Sequence, residues 1–184
     1  HRESLTISRE IGARGGVATA MNSLGHIAET RGDLAEAERL HRESLTISRE
    51  IGDRLSEAGA LFGLGTIAIE RGDFAEAERL WRETLAFKRE IGDRRGEARS
   101  LLGLGNTAFS RGDLAEAERL YRESLAIKIE TGDRLGEAAS LINLGNIMHS
   151  KGQYDEQRRM YTEAVRIQRE VGIPIDQILI DNGY

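Results

Sequence analysis

Across residues 34–51, apolar or small letters fall at Leu34, Ala37, Leu40, Ser44, Leu45, Ile47 and Ile51, the 3.6-residue period of an amphipathic helix. Asp33 stands where an N-cap belongs, with Glu36 at capping-box spacing, and Gly32 suits the left-handed residue that closes the preceding helix. The same signals recur at Gly72, Asp73 and Glu76 and at Gly112, Asp113 and Glu116. Gly52-Asp53, Gly92-Asp93 and Gly132-Asp133 repeat the stop-then-cap grammar at the other end of each unit. The pattern predicts helix pairs, a first helix of about sixteen residues and a second of about nineteen, roughly 25 and 28 Å long.

The pairs are copies of one another. RGDLAEAERL at 31–40 returns as RGDFAEAERL at 71–80 and as RGDLAEAERL at 111–120, a period of 40 residues. HRESLTISREIG fills both 1–12 and 41–52 without a change, so the chain opens inside a unit and reads as a piece of a longer array. The expected organisation is a second helix of a truncated repeat at 1–12, repeats at 13–52, 53–92, 93–132 and 133–172, and a capping helix or docking tail at 173–184. In that tail Pro174 suits a first helical position, Ile175, Ile178 and Leu179 share a face, and Asn182-Gly183 is a stop.

Composition narrows what such an array can do. Charged residues make up 31% and aromatics 5%, with one proline, the profile of a soluble helical protein with a thin Leu/Ala/Ile core. There is no cysteine, which excludes disulfides and thiolate metal sites. The net charge of -5, with Arg mixed among Glu, argues against nucleic acid as a partner. Apolar runs too short for a bilayer and no charged-then-apolar leader point away from membranes and to the cytoplasm. Glu38 with Arg42, Glu78 with Arg82 and Glu118 with Arg122 are i,i+4 pairs on the outer helix faces, each contributing a few tenths of a kcal/mol.

Leu24-Gly25, Ala28, Gly32, Leu34, Ala37 and Leu45 resemble the packing signature of the tetratricopeptide repeat. It recurs as Leu64-Gly65, Ala68, Gly72, Phe74, Ala77 and Leu85, and as Leu104-Gly105, Ala108, Gly112, Leu114, Ala117 and Leu125. The 40-residue period is similar to the extended-helix subtype of kinesin light chains, spindle scaffolds and bacterial signalling proteins. The resemblance implies an all-α fold, a right-handed α-α superhelix of about four antiparallel hairpins plus a leading half-repeat. Small residues at Gly25, Ala28 and Ala37 let the two helices of a hairpin approach closely. The fourth unit departs, with Met148 and Gln157 at alanine positions, and is expected to pack more loosely.

The resemblance further implies a concave surface lined by the first helices. Beside the packing letters, positions spaced i, i+4, i+7 are Asn22, His26 and Glu29; Phe62, Thr66 and Ile69; Leu102, Asn106 and Phe109; and Ile142, Asn146 and His149. This stripe varies while the scaffold stays constant, as a binding surface would. Phe62, Ile69, Leu102, Phe109 and Ile142 would leave an apolar patch exposed there. Asn106, Asn143 and Asn146 resemble asparagine ladders that hold the backbone of an extended peptide, an amide offering both donor and acceptor. Arg99 is the one cation placed in the groove.

No catalytic constellation stands out, because reactive letters repeat with the 40-residue period. The three RGD triplets at 31, 71 and 111 serve as turn and cap, and Gly63-Leu64-Gly65 with Ala68, inside a helix, is no dinucleotide loop. His41 stands where Trp81, Tyr121 and Tyr161 stand, marking a packing residue, while His26 and His149 read as polar contacts in the groove. No cofactor and no metal site is expected. The function expected is a non-catalytic scaffold that binds a protein or a peptide, extended or helical, in its groove. The alternative is a self-associating array, natural or designed, joined through its ends or the 173–184 tail, since Leu5, Ile7 and Ile11 lack a partner helix.

Overall fold

The computed structural model describes the backbone of residues 2–181 and 183, and the side chains of residues 10–176, 179–181 and 183. The described residues form helices and turns only: α1 (Arg2–Thr30), α2 (Leu34–Ile51), α3 (Arg54–Glu70), α4 (Phe74–Glu90), α5 (Arg94–Ser110), α6 (Leu114–Glu130), α7 (Arg134–Ser150), α8 (Tyr154–Glu170) and a short α9 (Gln177–Asp181). The chain divides into two compact units, residues 1–87 and 88–184. In the first, α1 packs on α2 and α2 on α3, with α4 folded against α3; in the second, α5 pairs with α6, α6 packs on α7 and α7 pairs with α8.

The turns follow from their letters. Gly32, Gly72 and Gly112 sit at φ of 76°, 75° and 82°, a region that costs a residue with a Cβ about 1–2 kcal/mol. The Asp33, Asp73 and Asp113 carboxylates then accept from the backbone N–H three residues on, each at 3.1 Å. Asp53, Asp93 and Asp133 do the same for α3, α5 and α7. The reciprocal half of a capping box is not what Glu36 and Glu76 make: both commit their carboxylate oxygens to Arg39 and Arg79 one turn along. Gln153, before α8, makes no side-chain cap bond.

One expected break is missing. Residues 2–30 form a single helix where the sequence signals a turn after Gly12. The reason is local: Ala13 stands where Asp53, Asp93 and Asp133 supply the cap, so nothing holds a turn against helix propagation. Of the positions expected to lack a partner helix, Ile11 is exposed, and the side chains of Leu5 and Ile7 lie outside the described residues.

Hairpins close on glycines. A Cβ at Gly65 would lie 2.8 Å from the Trp81 ring, and at Gly105 2.5 Å from the Tyr121 ring; Gly145 meets Tyr161 in the same way. In the first hairpin the slot holds His41, against Gly25 and Gly63. Ala37, Ala77 and Ala117 at the helix crossings are fully buried. The fourth seam, expected to be loose, is closed: Met148 and Gln157 are buried, and Gln157 Oε1 meets His149 Nδ1 at 3.2 Å. In the tail, Leu179 is fully buried in a cluster with Ala138, Leu141, Ile142 and Tyr161, so it caps the last hairpin. The side chain of Ile178 and all of Asn182 lie outside the described residues.

His41 is more than filler. Its Nε2 meets Glu29 Oε1 and its Nδ1 meets Asn22 Oδ1, both at 3.2 Å, while Glu29 Oε2 meets His26 Nδ1 at 3.1 Å. Burial pulls the His41 imidazole below the usual histidine range, and the Glu29 carboxylate opposes that pull.

A methyl group at position 105 has two buried ring atoms in its way, and this clash outweighs the helix-propensity gain of alanine. Gly105→Ala is expected to cost about 1–3 kcal/mol, read as a lower urea midpoint. Gln153→Asp, which supplies α8 with the missing cap, should gain about 1 kcal/mol by the same measurement. The unfolded chain protonates His41 more readily than the folded one, so stability is full above about pH 6.5 and declines as the pH falls below it. A Tyr in its place, as at 121 and 161, should flatten that decline in thermal midpoints measured across the same pH series; an unchanged slope would mean that His41 is not its source.

Candidate peptide-binding face

The stripe is used differently in the two units. In the first, Asn22 donates from Nδ2 to the Ser56 carbonyl at 2.9 Å and offers its oxygen to His41, so both ends of its amide serve the contact of α1 with α2 and α3. Glu29 is held between His41 and His26. Thr66 donates to the Phe62 carbonyl of its own helix at 3.3 Å. Phe62 is half-buried, its ring edge-on to Trp81 with centroids 4.7 Å apart, and Ile69 is half-buried. Of these six residues, His26 presents the most surface, its side chain three-quarters exposed.

In the second unit two repeats coincide. Asn106 Oδ1 accepts from the Tyr121 hydroxyl at 2.8 Å, and Asn146 Oδ1 accepts from the Tyr161 hydroxyl at 2.5 Å, each fifteen residues on. Burial pushes the Tyr121 phenol up, keeping it a protonated donor. Each asparagine oxygen is thereby fixed, and neither Nδ2 has a partner among the described residues. Beside Asn106, Phe109 is 37% exposed; Leu102 and Asn143 are half-buried, and His149 is exposed with its ring edge-on to Tyr154 at 5.7 Å.

One expectation needs correction. Ile142 is not part of an exposed apolar patch: it is 7% exposed, in the cluster that Leu179 completes. Arg99 is exposed. The Asp93 carboxyl is held below the usual range first by the Gly96 N–H and then by Lys88, with the Arg99 charge adding to them.

The tyrosine hydroxyls were not read from the letters as orienting the asparagines, although the fifteen-residue spacing shared by Asn106–Tyr121 and Asn146–Tyr161 was there to find. Trp81 occupies the same slot, and its indole N–H is buried without a partner. Among the described residues no group of three or more His, Asp or Glu could hold a metal ion, and no helix is long and apolar enough to cross a membrane.

The sequence profile of the tetratricopeptide repeat matches residues 16–90, 56–130 and 96–170 in overlapping registers. No curated protein matches the chain. Among solved structures, BtubC (BKLC) from P. vanneervenii superposes with a TM-score of 0.75 at 22% identity, over 91% of this chain and 65% of that one. Aspartyl phosphate phosphatase F from Bacillus subtilis gives 0.82 at 12% identity, over 92% of this chain and 44% of that one. A Rap protein complexed with Competence and Sporulation Factor gives 0.77 at 17% identity, over 93% and 46%. The chain thus spans less than two thirds of the length of each of these neighbours, and at such identities the likeness is one of fold. With its copied glycine-closed hairpins and a profile match running from residue 16 to residue 170, the chain belongs to the tetratricopeptide repeat family.

Proposed function

We propose that the chain is a non-catalytic scaffold that binds an extended peptide segment of a protein partner along the first helices of its second unit. The observation that carries this reading is the pair Asn106 and Asn146, one repeat apart, with their oxygens held by Tyr121 and Tyr161. With the oxygen taken, each amide keeps its NH2 as a donor, which suits a peptide carbonyl. Phe109 supplies an exposed apolar surface beside them, and Leu102, Asn143 and His149 complete the face. The Rap neighbour complexed with Competence and Sporulation Factor supports a ligand-holding role for this fold. Nucleic acid is disfavoured by the net charge of -5 and by Arg39, Arg79 and Arg119, each paired with two glutamates.

In the first unit, Asn22 and Glu29 stabilise the fold and add little to the same grip. Asn22→Ala would therefore report on stability, not on recognition.

The test starts from peptides selected by display on the 184-residue chain, with affinity read by fluorescence anisotropy. Asn106→Ala and Asn146→Ala should each weaken binding about 3–10-fold, one hydrogen bond apiece, with helical circular dichroism unchanged. Tyr121→Phe should weaken it less, by releasing the Asn106 amide from its fixed orientation. Binders that ignore all three substitutions, or a display that returns none, would count against this face.

A further inference from the structure

His41 is buried, and both of its ring nitrogens face oxygen atoms of α1. Asn22 decides the first contact. Its Nδ2 donates to the Ser56 carbonyl at 2.9 Å, so the oxygen that it turns to His41 Nδ1, 3.2 Å away, can only accept, and Nδ1 carries the hydrogen. A neutral imidazole has a single N–H, which leaves Nε2 with a lone pair. That lone pair faces Glu29 Oε1, another acceptor, at 3.2 Å. The two atoms attract only when a proton lies between them. The other Glu29 oxygen meets His26 Nδ1 at 3.1 Å, and the His26 side chain is three-quarters exposed, so solvent reaches this chain of groups from one end.

We propose that His41 and Glu29 form a proton-gated latch in the first unit, closed when the ring carries a hydrogen on both nitrogens and open when Nε2 is bare. Closed, it holds the Glu29 side chain at 14% exposure. Open, it leaves an unpaired carboxylate at that depth, which is costly, and the flexible side chain swings to solvent. The stripe of the first unit then shows a carboxylate beside His26 at neutral pH and withdraws it on acidification. Asn22 keeps its contacts in both states, so the switch moves a side chain and leaves α1 pinned to α2 and α3. The charges that face His41 are those of Glu29 and His26, both on α1; α3 meets it with the backbone at Gly63, which carries none. Burial opposes the second proton more than Glu29 draws it, so the latch closes on the acid side of the usual histidine range, below about pH 6.5. Closure recovers part of the cost of charging a buried ring, and the remainder is why acid still destabilises the chain.

The test reads the rings directly, in long-range proton–nitrogen spectra of the 184-residue chain between about pH 8 and about pH 4. The chain has four histidines, and the ring system lost in His41→Tyr is that of His41. At the alkaline end its hydrogen should lie on Nδ1, and the ring should take up the second proton with a midpoint below about 6.5. The Glu29 γ-methylene, followed by carbon relaxation, should be mobile above that midpoint and ordered below it. Glu29→Gln places a donor opposite Nε2, so the side chain at 29 should be ordered on both sides of the midpoint, with helical circular dichroism unchanged. Loss of the carboxylate charge should at the same time lower the His41 midpoint by about half a pH unit or more. A hydrogen on Nε2 at the alkaline end, a ring that stays neutral throughout, or a Glu29 side chain equally ordered on both sides of the midpoint would overturn the proposal.

Discussion

The distance at which a backbone without a Cβ meets an aromatic ring governs this molecule. Gly65, Gly105 and Gly145 each lie against the ring of Trp81, Tyr121 or Tyr161, and the ring fills the space that a side chain would need. Because the glycine lies on the first helix of a hairpin and the ring on the second, their contact sets the spacing of the pair. The fully buried Ala77 and Ala117 hold the crossing nearer the turn. Ser44 and Ser124 then donate across the gap to the Ala18 and Ala98 carbonyls at 2.8 Å, a bond that only closely approaching helices can make.

Hairpin-to-hairpin contacts are tuned by residue size. Lys88 and Lys128 run buried along the turn into the next first helix, where Gly96 and Gly136 leave them room, a Cβ at either position meeting the lysine stem within 2.9 Å. Where the short Ser48 replaces lysine, Ser56 fits in place of glycine. Lys128 Nζ donates to Ser140 at 2.9 Å, and burial lowers its pKa against the pull of Asp133. Charge adds register. Arg49 on α2 reaches the buried Glu57 on α3 and also Glu83 on α4, and Arg89 does the same with Glu97 and Glu123. Half-exposed arginines contribute little stability alone, but a buried carboxylate without a cation would be costly, so these pairs penalise a slipped stack. At the next position the staple is lost: Ile129 replaces arginine and is exposed, and Glu137 keeps the pairing with Arg134 that Glu57 makes with Arg54 and Glu97 with Arg94.

Most of this was legible in the letters because it repeats. A glycine at positive φ and an aspartate that caps have no substitute in a tight turn, so Gly-Asp pairs marked the helix ends around α2 to α7. What escaped were single departures whose meaning depends on packing. Ala13 looks innocuous, yet losing one cap oxygen merges two helices into α1. Ile142 reads as a surface letter by its spacing and is buried because Leu179, thirty-seven residues later, folds over the same cluster. The groove letters likewise mark positions and carry no information about which atoms are already engaged.

That last point separates the two units. The residue in the ring slot determines what the stripe residue fifteen positions earlier, and its neighbours, can do. A tyrosine reaches out with one hydroxyl, takes the asparagine oxygen and leaves the amide nitrogen as a donor, as at Asn106 and Asn146. A histidine in that slot has two ring nitrogens to satisfy, and His41 satisfies them with Asn22 and Glu29, drawing stripe residues into the fold. A tryptophan has a single N–H that finds no partner, and Thr66 turns to its own helix. Which polar atoms of the first-helix stripe are engaged is thus set from beneath, by buried second-helix residues, and divergence of the surface letters is only half of what would change it.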